Sequence, residues 1–283
     1  MGDGLCPTCK EEVMTNSVTP NDLRILIEEY VMAYPEKTGT ENIWRKPILA
    51  TAEADDRFDI LPRIAAADHV LPRDLLPSAK SVLVFFVPFV KELAVENHKG
   101  KIPCRNWGFA YEATNRLINS ACEHIQNYLE DRGYRAELTP ATHNFDPIKL
   151  VSRWSHKHLG YLTGLGRFGV NAQLITPAGC AGRLGSLVTD AELGDSPLVR
   201  EKELCLHKNG HPCLVCVKRC PMEAVSESGI DRRLCFERLK SNLAQTKELA
   251  GLENTTHVCG KCQVLTPCSL RAPKNKSAVS TSE

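Results

Sequence analysis

Cys205-Leu206-His207-Lys208-Asn209-Gly210-His211-Pro212-Cys213-Leu214-Val215-Cys216-Val217-Lys218-Arg219-Cys220-Pro221 opens a segment that carries eight of the chain's thirteen cysteines. Cys235 and the run Cys259-x2-Cys262-x5-Cys268 complete it. Two cysteines separated by two residues can turn both sulfurs toward one metal centre. The run Cys216-x3-Cys220-Pro221 sends its last sulfur away from that group, and in two-cluster iron–sulfur proteins this cysteine ligates the other cluster. Eight thiolates then divide into two sets of four. Cys205, Cys213 and Cys216 share one [4Fe–4S] cluster with Cys268 returning from the far end. Cys235, Cys259 and Cys262 share the second with Cys220.

Zinc knuckles also use Cys-x2-Cys pairs and are the competing reading. The Cys-x3-Cys-Pro run and its apolar and basic spacer favour clusters. A disulfide framework is disfavoured, because nothing at the N-terminus resembles a signal peptide and the expected compartment is reducing. Two details depart from a standard ferredoxin run: seven residues separate Cys205 from Cys213, and Ser269 follows Cys268 where proline is usual.

Around this segment, 283 residues suffice for one large and one small domain, with 42% hydrophobic content. We expect a polar lead-in over 1–19, a cofactor and substrate domain over 20–195, the cluster module over 196–272 and a disordered Ser/Lys-rich tail over 273–283. A net charge of +1 argues against a dedicated nucleic-acid surface. The longest apolar run, Val82–Val87, is too short to span a bilayer, and a cytoplasmic location is expected.

Cys6-Pro7-Thr8-Cys9 has the spacing of a redox dithiol but only a weak helix start behind it. Leu23, Ile25, Leu26, Ile27, Tyr30 and Val31 repeat at helical spacing after the cap-like Asn21-Asp22, in a helix expected to end before Pro35. Ser81–Pro88 is continuous and rich in β-branched residues, the pattern of a central strand buried on both faces. An amphipathic helix is expected over 109–131, closed by Gly133, then a strand over Tyr134–Leu138. Cys104 and Cys122 read as core or loop thiols. A helix is expected over 147–163 with Pro147 at its start. Gly164-Leu165-Gly166-Arg167-Phe168-Gly169-Val170-Asn171 is glycine-dense, implying positive φ or close approach of backbone to a large ligand. It matches G-x-G-x-x-G but follows a helix, so a dinucleotide fold is rejected. Ala172–Thr176 and Gly185–Thr189 are expected to form a hairpin-like pair around Pro177–Arg183.

Three blocks now resemble the epoxyqueuosine reductase family and, more distantly, the reductive dehalogenases: Leu75–Val84, the stretch from Gly164 through Thr176-Pro177 and Gly185–Asp190, and the cysteine module. The resemblance implies an α+β fold. A nitroreductase-like, cobalamin-binding α/β sandwich precedes a bacterial ferredoxin-like double [4Fe–4S] module. It places base-off cobalamin against Gly164, Gly166, Arg167, Phe168, Gly169 and Asn171, and against Leu174, Thr176, Gly182, Gly185 and Leu187. The proton-donor candidates just upstream of the glycine loop are Asp146, His156, His158 and Tyr161; the resemblance implies an acidic residue there, for which Asp146 is the only carboxylate, with an N-cap role as its alternative. The implied activity is a cobalamin-dependent reductase fed by an external ferredoxin- or flavodoxin-type donor. Its substrate is expected to be small and not tRNA, since tRNA-acting relatives carry further C-terminal helical repeats and basic surface. Two alternatives stay open: an electron-transfer or corrinoid-reducing partner protein, and a flavin reductase whose FMN phosphate meets Arg167 and Arg183.

Overall fold

Ser81–Pro88 has no polar face to give to water, and the computed structural model buries all eight of its residues in a central strand. The structure describes residues 17–142 and 145–274; the Cys6–Cys9 pair and the tail from 275 lie outside the described residues. In chain order the first elements are α1 (Pro20–Thr38), β1 (Ile48–Glu53), two short helices α2 (Leu61–Ile64) and α3 (Pro72–Leu75), and β2 (Ser81–Pro88). Next come α4 (Lys91–His98), α5 (Arg105–Glu130), β3 (Ala136–Leu138), the pair β4 (Phe145–Asp146) and β5 (Val151–Ser152), and α6 (His156–Leu162). The pair β6 (Arg167–Phe168) and β7 (Leu174–Ile175) precedes β8 (Gly182–Thr189). The cysteine segment adds α7 (Val215–Arg219), the pair β9 (Val225–Ser226) and β10 (Gly229–Ile230), and α8 (Arg232–Gln245).

The main sheet runs β1-β2-β8-β3 with antiparallel neighbours throughout, Ile48 opposite Phe86, Ser81 opposite Thr189 and Leu138 opposite Leu187. Alternation along β2 sends Leu83, Phe85 and Val87 to one core, shared with Leu23, Ile27, Leu117, Ile118 and Ile125 of α1 and α5. Val82, Val84 and Phe86 face a second core with Phe58, Trp154, Leu159 and Leu174. Helices and loops thus cover both faces, which is why β2 reads as an unbroken apolar run.

Three local expectations are corrected. Thr19 caps α1: its Oγ1 accepts from Asp22 N while Thr19 N donates to Asp22 Oδ2. The helix continues through Pro35 and stops at Gly39 (φ 65°). Pro35 lies in the last turn, where its missing N–H removes a single ladder bond at the fraying end of the helix. The helix expected over 147–163 begins only at His156, because Asp146 Oδ1 accepts from Ile148 N and Lys149 N. That side-chain turn competes with helix formation and closes the β4–β5 pair instead. The hairpin expected from 172–189 does not form. β7 pairs with β6, and β8 inserts between β2 and β3, since Leu187 and Val188 each have a core to enter on opposite faces.

Candidate functional site

The cysteine segment is held by polar side-chain contacts, several of them to its own carbonyls. Asn97 Nδ2 donates to Cys259 O (2.9 Å), Asn242 Nδ2 to Val258 O (2.8 Å) and Asn171 Nδ2 to Cys262 O (2.9 Å). Glu112 Oε1 accepts from Glu253 N and Thr256 Oγ1. Lys261 is 1% exposed, and its Nζ donates to Asn97 O and Lys99 O.

So anchored, the eight cysteines fall into two groups around two cavities. Cys205, Cys213, Cys216 and Cys268 line one; Cys220, Cys235, Cys259 and Cys262 line the other. Within each group the thiols raise one another, and Cys216 also acts across the division on Cys262. Burial first, then Cys268, Cys205 and Cys213, push the Cys216 thiol up to about 11. Burial first, then Cys259 and Cys220, push Cys235 to about 11. The sulfurs surround spaces instead of converging: among the described residues no group of three or more His, Cys, Asp or Glu is placed to hold a single metal ion.

A ninth thiol, that of Cys180 in the turn before β8, lies beside the first quartet. Cys180 is 2% exposed, and its Sγ–H points at Cys268 Sγ across 4.0 Å. This contact holds the Cys268 thiol below its ordinary value. Cys180 N also donates to Cys268 O and Ser269 O.

The second quartet opens onto a cleft. Its largest chamber, about 600 Å³, is walled by Tyr111, Phe145, Phe168, Phe236 and Leu239, with Lys157, Lys208 and Arg232 at the polar positions. A chamber of about 290 Å³, lined by Trp154 and His156, shares Lys157, Gln173 and Arg183 with it, and the cavity of the second quartet measures about 190 Å³. Gln173 and Arg183 border all three chambers. Cys235 borders both the second quartet's cavity and the largest chamber.

Of the residues singled out from sequence, His156, His158, Phe168, Gly169, Leu174 and Gly182 line this cleft. Asn171 lines the cavity of the first quartet. Tyr161, Gly164 and Arg167 lie around a separate surface hollow, where Arg167 donates to Glu201 O and Val199 O and its guanidinium lies 5.4 Å from the Tyr161 ring. Gly166, Thr176, Gly185 and Leu187 serve the fold. A Cβ on Gly166 would stand 2.4 Å from Ile175 O and one on Gly185 2.4 Å from Phe85, Thr176 Oγ1 donates to Gly179 O, and Leu187 is in the core. Close approach at these glycines is therefore by the chain itself. Asp146 has its carboxylate held low by the Lys149 and Ile148 N–H groups, in the turn described above.

Lys157 was not singled out from sequence, yet it borders both larger chambers. Its Nζ donates to Ala172 O (3.1 Å), and burial lowers its pKa. The available signal was its place between two histidines in a helix of seven residues, which turns successive side chains in different directions.

Both histidines are neutral in the fold. His156 Nε2–H donates to Pro140 O, and its Nδ1 accepts from Ser186 Oγ (2.7 Å), which accepts in turn from Trp154 Nε1. Burial pushes His156 to about 4 and His158, paired with Ser155 Oγ at 2.8 Å, also to about 4. An unfolded histidine titrates near 6.5, so between pH 6.5 and 4 the unfolded chain binds protons that the fold refuses. This contribution to stability is complete above pH 6.5 and drains as the pH falls toward 4, by about 3 kcal/mol for His156. His156→Gln should flatten the decline in urea midpoint between pH 7 and 4.5 relative to wild type; parallel curves would reject this assignment.

The chain shares its fold with epoxyqueuosine reductases and with reductive dehalogenases. The epoxyqueuosine reductase of Bacillus subtilis matches with a TM-score of 0.52 at 17% identity, over 89% of this chain and 68% of that one. The Streptococcus thermophilus enzyme matches with 0.51 at 18% identity, over 88% and 68%. A catabolic reductive dehalogenase in complex with 3-bromo-4-hydroxybenzoic acid matches with 0.53 at 16% identity, over 80% of this chain and 30% of that one. No protein-family model matches the chain, and no curated protein sequence does. No helix among the described residues is long and apolar enough to cross a membrane.

Proposed function

We propose that this chain is a corrinoid-dependent iron–sulfur reductase acting on a small molecule. The observation that carries the reading is the division of eight cysteines into two quartets, one of which opens directly onto a large cleft. Four thiols around a space suit a [4Fe–4S] cluster, which sets its own iron and sulfide between its ligands. The cleft suits a corrinoid by its size, its aromatic walls and the unpartnered Nε of Arg183. The fold neighbours, an oxidoreductase group by their names, support the same class.

When bound, the corrinoid would supply a strongly reducing cobalt centre and the clusters the route for electrons from an external ferredoxin- or flavodoxin-type donor. The second quartet stands next to the cleft, since Cys235 belongs to both walls. Lys157 holds a proton at Nζ between the two larger chambers, and desolvation makes that proton easier to give up than in water. His158, neutral and bonded to Ser155, orients within the wall and does not carry the proton at neutral pH. Tyr111, Phe145, Phe168 and Phe236 exclude water from the chamber. One fold neighbour was solved with a tRNA stem loop and another with a bromohydroxybenzoic acid. A net charge of +1 favours the small-molecule side of that choice.

The test is an anaerobic absorption spectrum of reconstituted protein incubated with hydroxocobalamin and desalted, with iron and sulfide analysis. Retained corrin bands and about eight irons per chain are expected. Iron without retained cobalamin would overturn the corrinoid assignment and leave a flavin enzyme or an electron carrier.

A further inference from the structure

Among the described residues, the largest chamber sets four strongly basic side chains, Lys157, Arg183, Lys208 and Arg232, against one carboxylate, Glu227. Glu227 lies at the rim, 66% exposed and 3.7 Å from His207. Arg183 differs from the other cations in its setting. It stands in β8 opposite Val87, and its guanidinium carbon lies 4.3 Å above the Tyr111 ring. Its Nε is buried with no acceptor, and no carboxylate pairs with it among the described residues. Arg45, by contrast, donates to Phe89 O, Ala178 O and Leu270 O, and Arg238, whose Nε is also buried without an acceptor, still donates through Nη2 to Lys101 O. A partly buried guanidinium without counter-charge destabilises the empty protein, and an arriving anion relieves that cost.

We infer that Arg183 receives an anionic oxygen of the molecule bound in the cleft, from a carboxylate, phenolate or phosphate group held over Tyr111 and beside Lys157. The planar fork of arginine matches two such oxygens, and its stacking on tyrosine fixes the direction from which they approach. The identity of the cleft's occupants rests on the proposed reductase; the charge of the group at Arg183 rests on the orphaned guanidinium. Two carriers share this chemistry: an acidic group of the substrate, and the nucleotide phosphodiester of the corrinoid.

The experiment compares the cluster-loaded full chain with Arg183→Met, by anaerobic calorimetry. One arm titrates benzoate against the neutral benzyl alcohol. The other titrates cobalamin against cobinamide, which lacks the phosphodiester. Benzoate or cobalamin should bind the variant at least about tenfold more weakly, as loss of a charge-assisted contact implies, while benzyl alcohol and cobinamide, which lack the anionic group, bind both proteins alike. Loss in the benzoate arm assigns the anion to the substrate, and loss in the cobalamin arm assigns it to the cofactor. Arg183→Met should also melt above wild type without ligand, because Met covers Tyr111 without an unpaired charge. Equal affinity in both arms, failure of wild type to bind either anion, or a lower melting temperature overturns the inference. If wild type binds benzoate but retains no cobalamin, the reductase proposal falls and the benzoate arm still decides the role of Arg183.

Discussion

If the proposed clusters are held as the two cavities divide the cysteines, alanine at Cys220 should remove the same cluster as alanine at Cys235 and spare the one lost when Cys216 is replaced. Each single variant should fall from about eight irons per chain to about four. The electron paramagnetic resonance spectrum of reduced Cys220→Ala should match that of Cys235→Ala and differ from that of Cys216→Ala. Cys216 and Cys220 are four residues apart, a spacing that would put both sulfurs on one face of a continuing helix. The helix does not continue. Pro221 disfavours the helical conformation at the residue before it, and Cys220 caps α7 at φ −69°, ψ 116°. Its side chain therefore turns to the cavity of Cys235, Cys259 and Cys262, while Cys216 faces Cys205, Cys213 and Cys268. Matching residual spectra for the Cys216 and Cys220 variants would show that the division is wrong.

Gly179→Val should lower stability by about 2 to 6 kcal/mol and strip the first quartet in preference to the second. The estimate combines backbone strain with overpacking, each worth about 1 to 3 kcal/mol. Gly179 has φ +93°, a conformation a β-branched residue resists, and a Cβ there would stand 2.2 Å from Ser269 O and 2.6 Å from Arg271 N. Both obstacles are backbone, so neither can swing aside. The turn must part from 268–271, breaking the bonds from Cys180 N and Ala181 N to Cys268 O and Ser269 O and displacing Cys268. Urea unfolding with iron analysis reads both effects. Gly210→Ala is the control, since Gly210 also has positive φ (+83°) but no neighbour within 4 Å; a loss of about 1 kcal/mol and full iron content are expected there. Wild-type stability and undiminished iron in Gly179→Val would refute the account.

Sequence alone determined the central strand, because the unbroken apolar run Val82–Val87 has no alternative to burial on both faces. It also determined the long helix α5 and the division of eight sulfurs, where proline chemistry acts locally at Cys220. The glycine loop misled for an equally local reason: glycine marks a close approach without saying whose. At Gly166 and Gly185 the neighbour is the chain itself, so part of the expected cofactor cradle is packing.

Only the tertiary structure decided which side chains share the cleft. Tyr111 on α5, Lys157 on α6, Arg183 on β8 and Phe236 on α8 are far apart in sequence and meet in one chamber. The charge of that chamber and the missing partner of Arg183 were equally hidden. Each follows from long-range placement, in which a cation's partner is set by what folds against it, whereas the signals of strand, helix and cluster run lie within a few residues of one another.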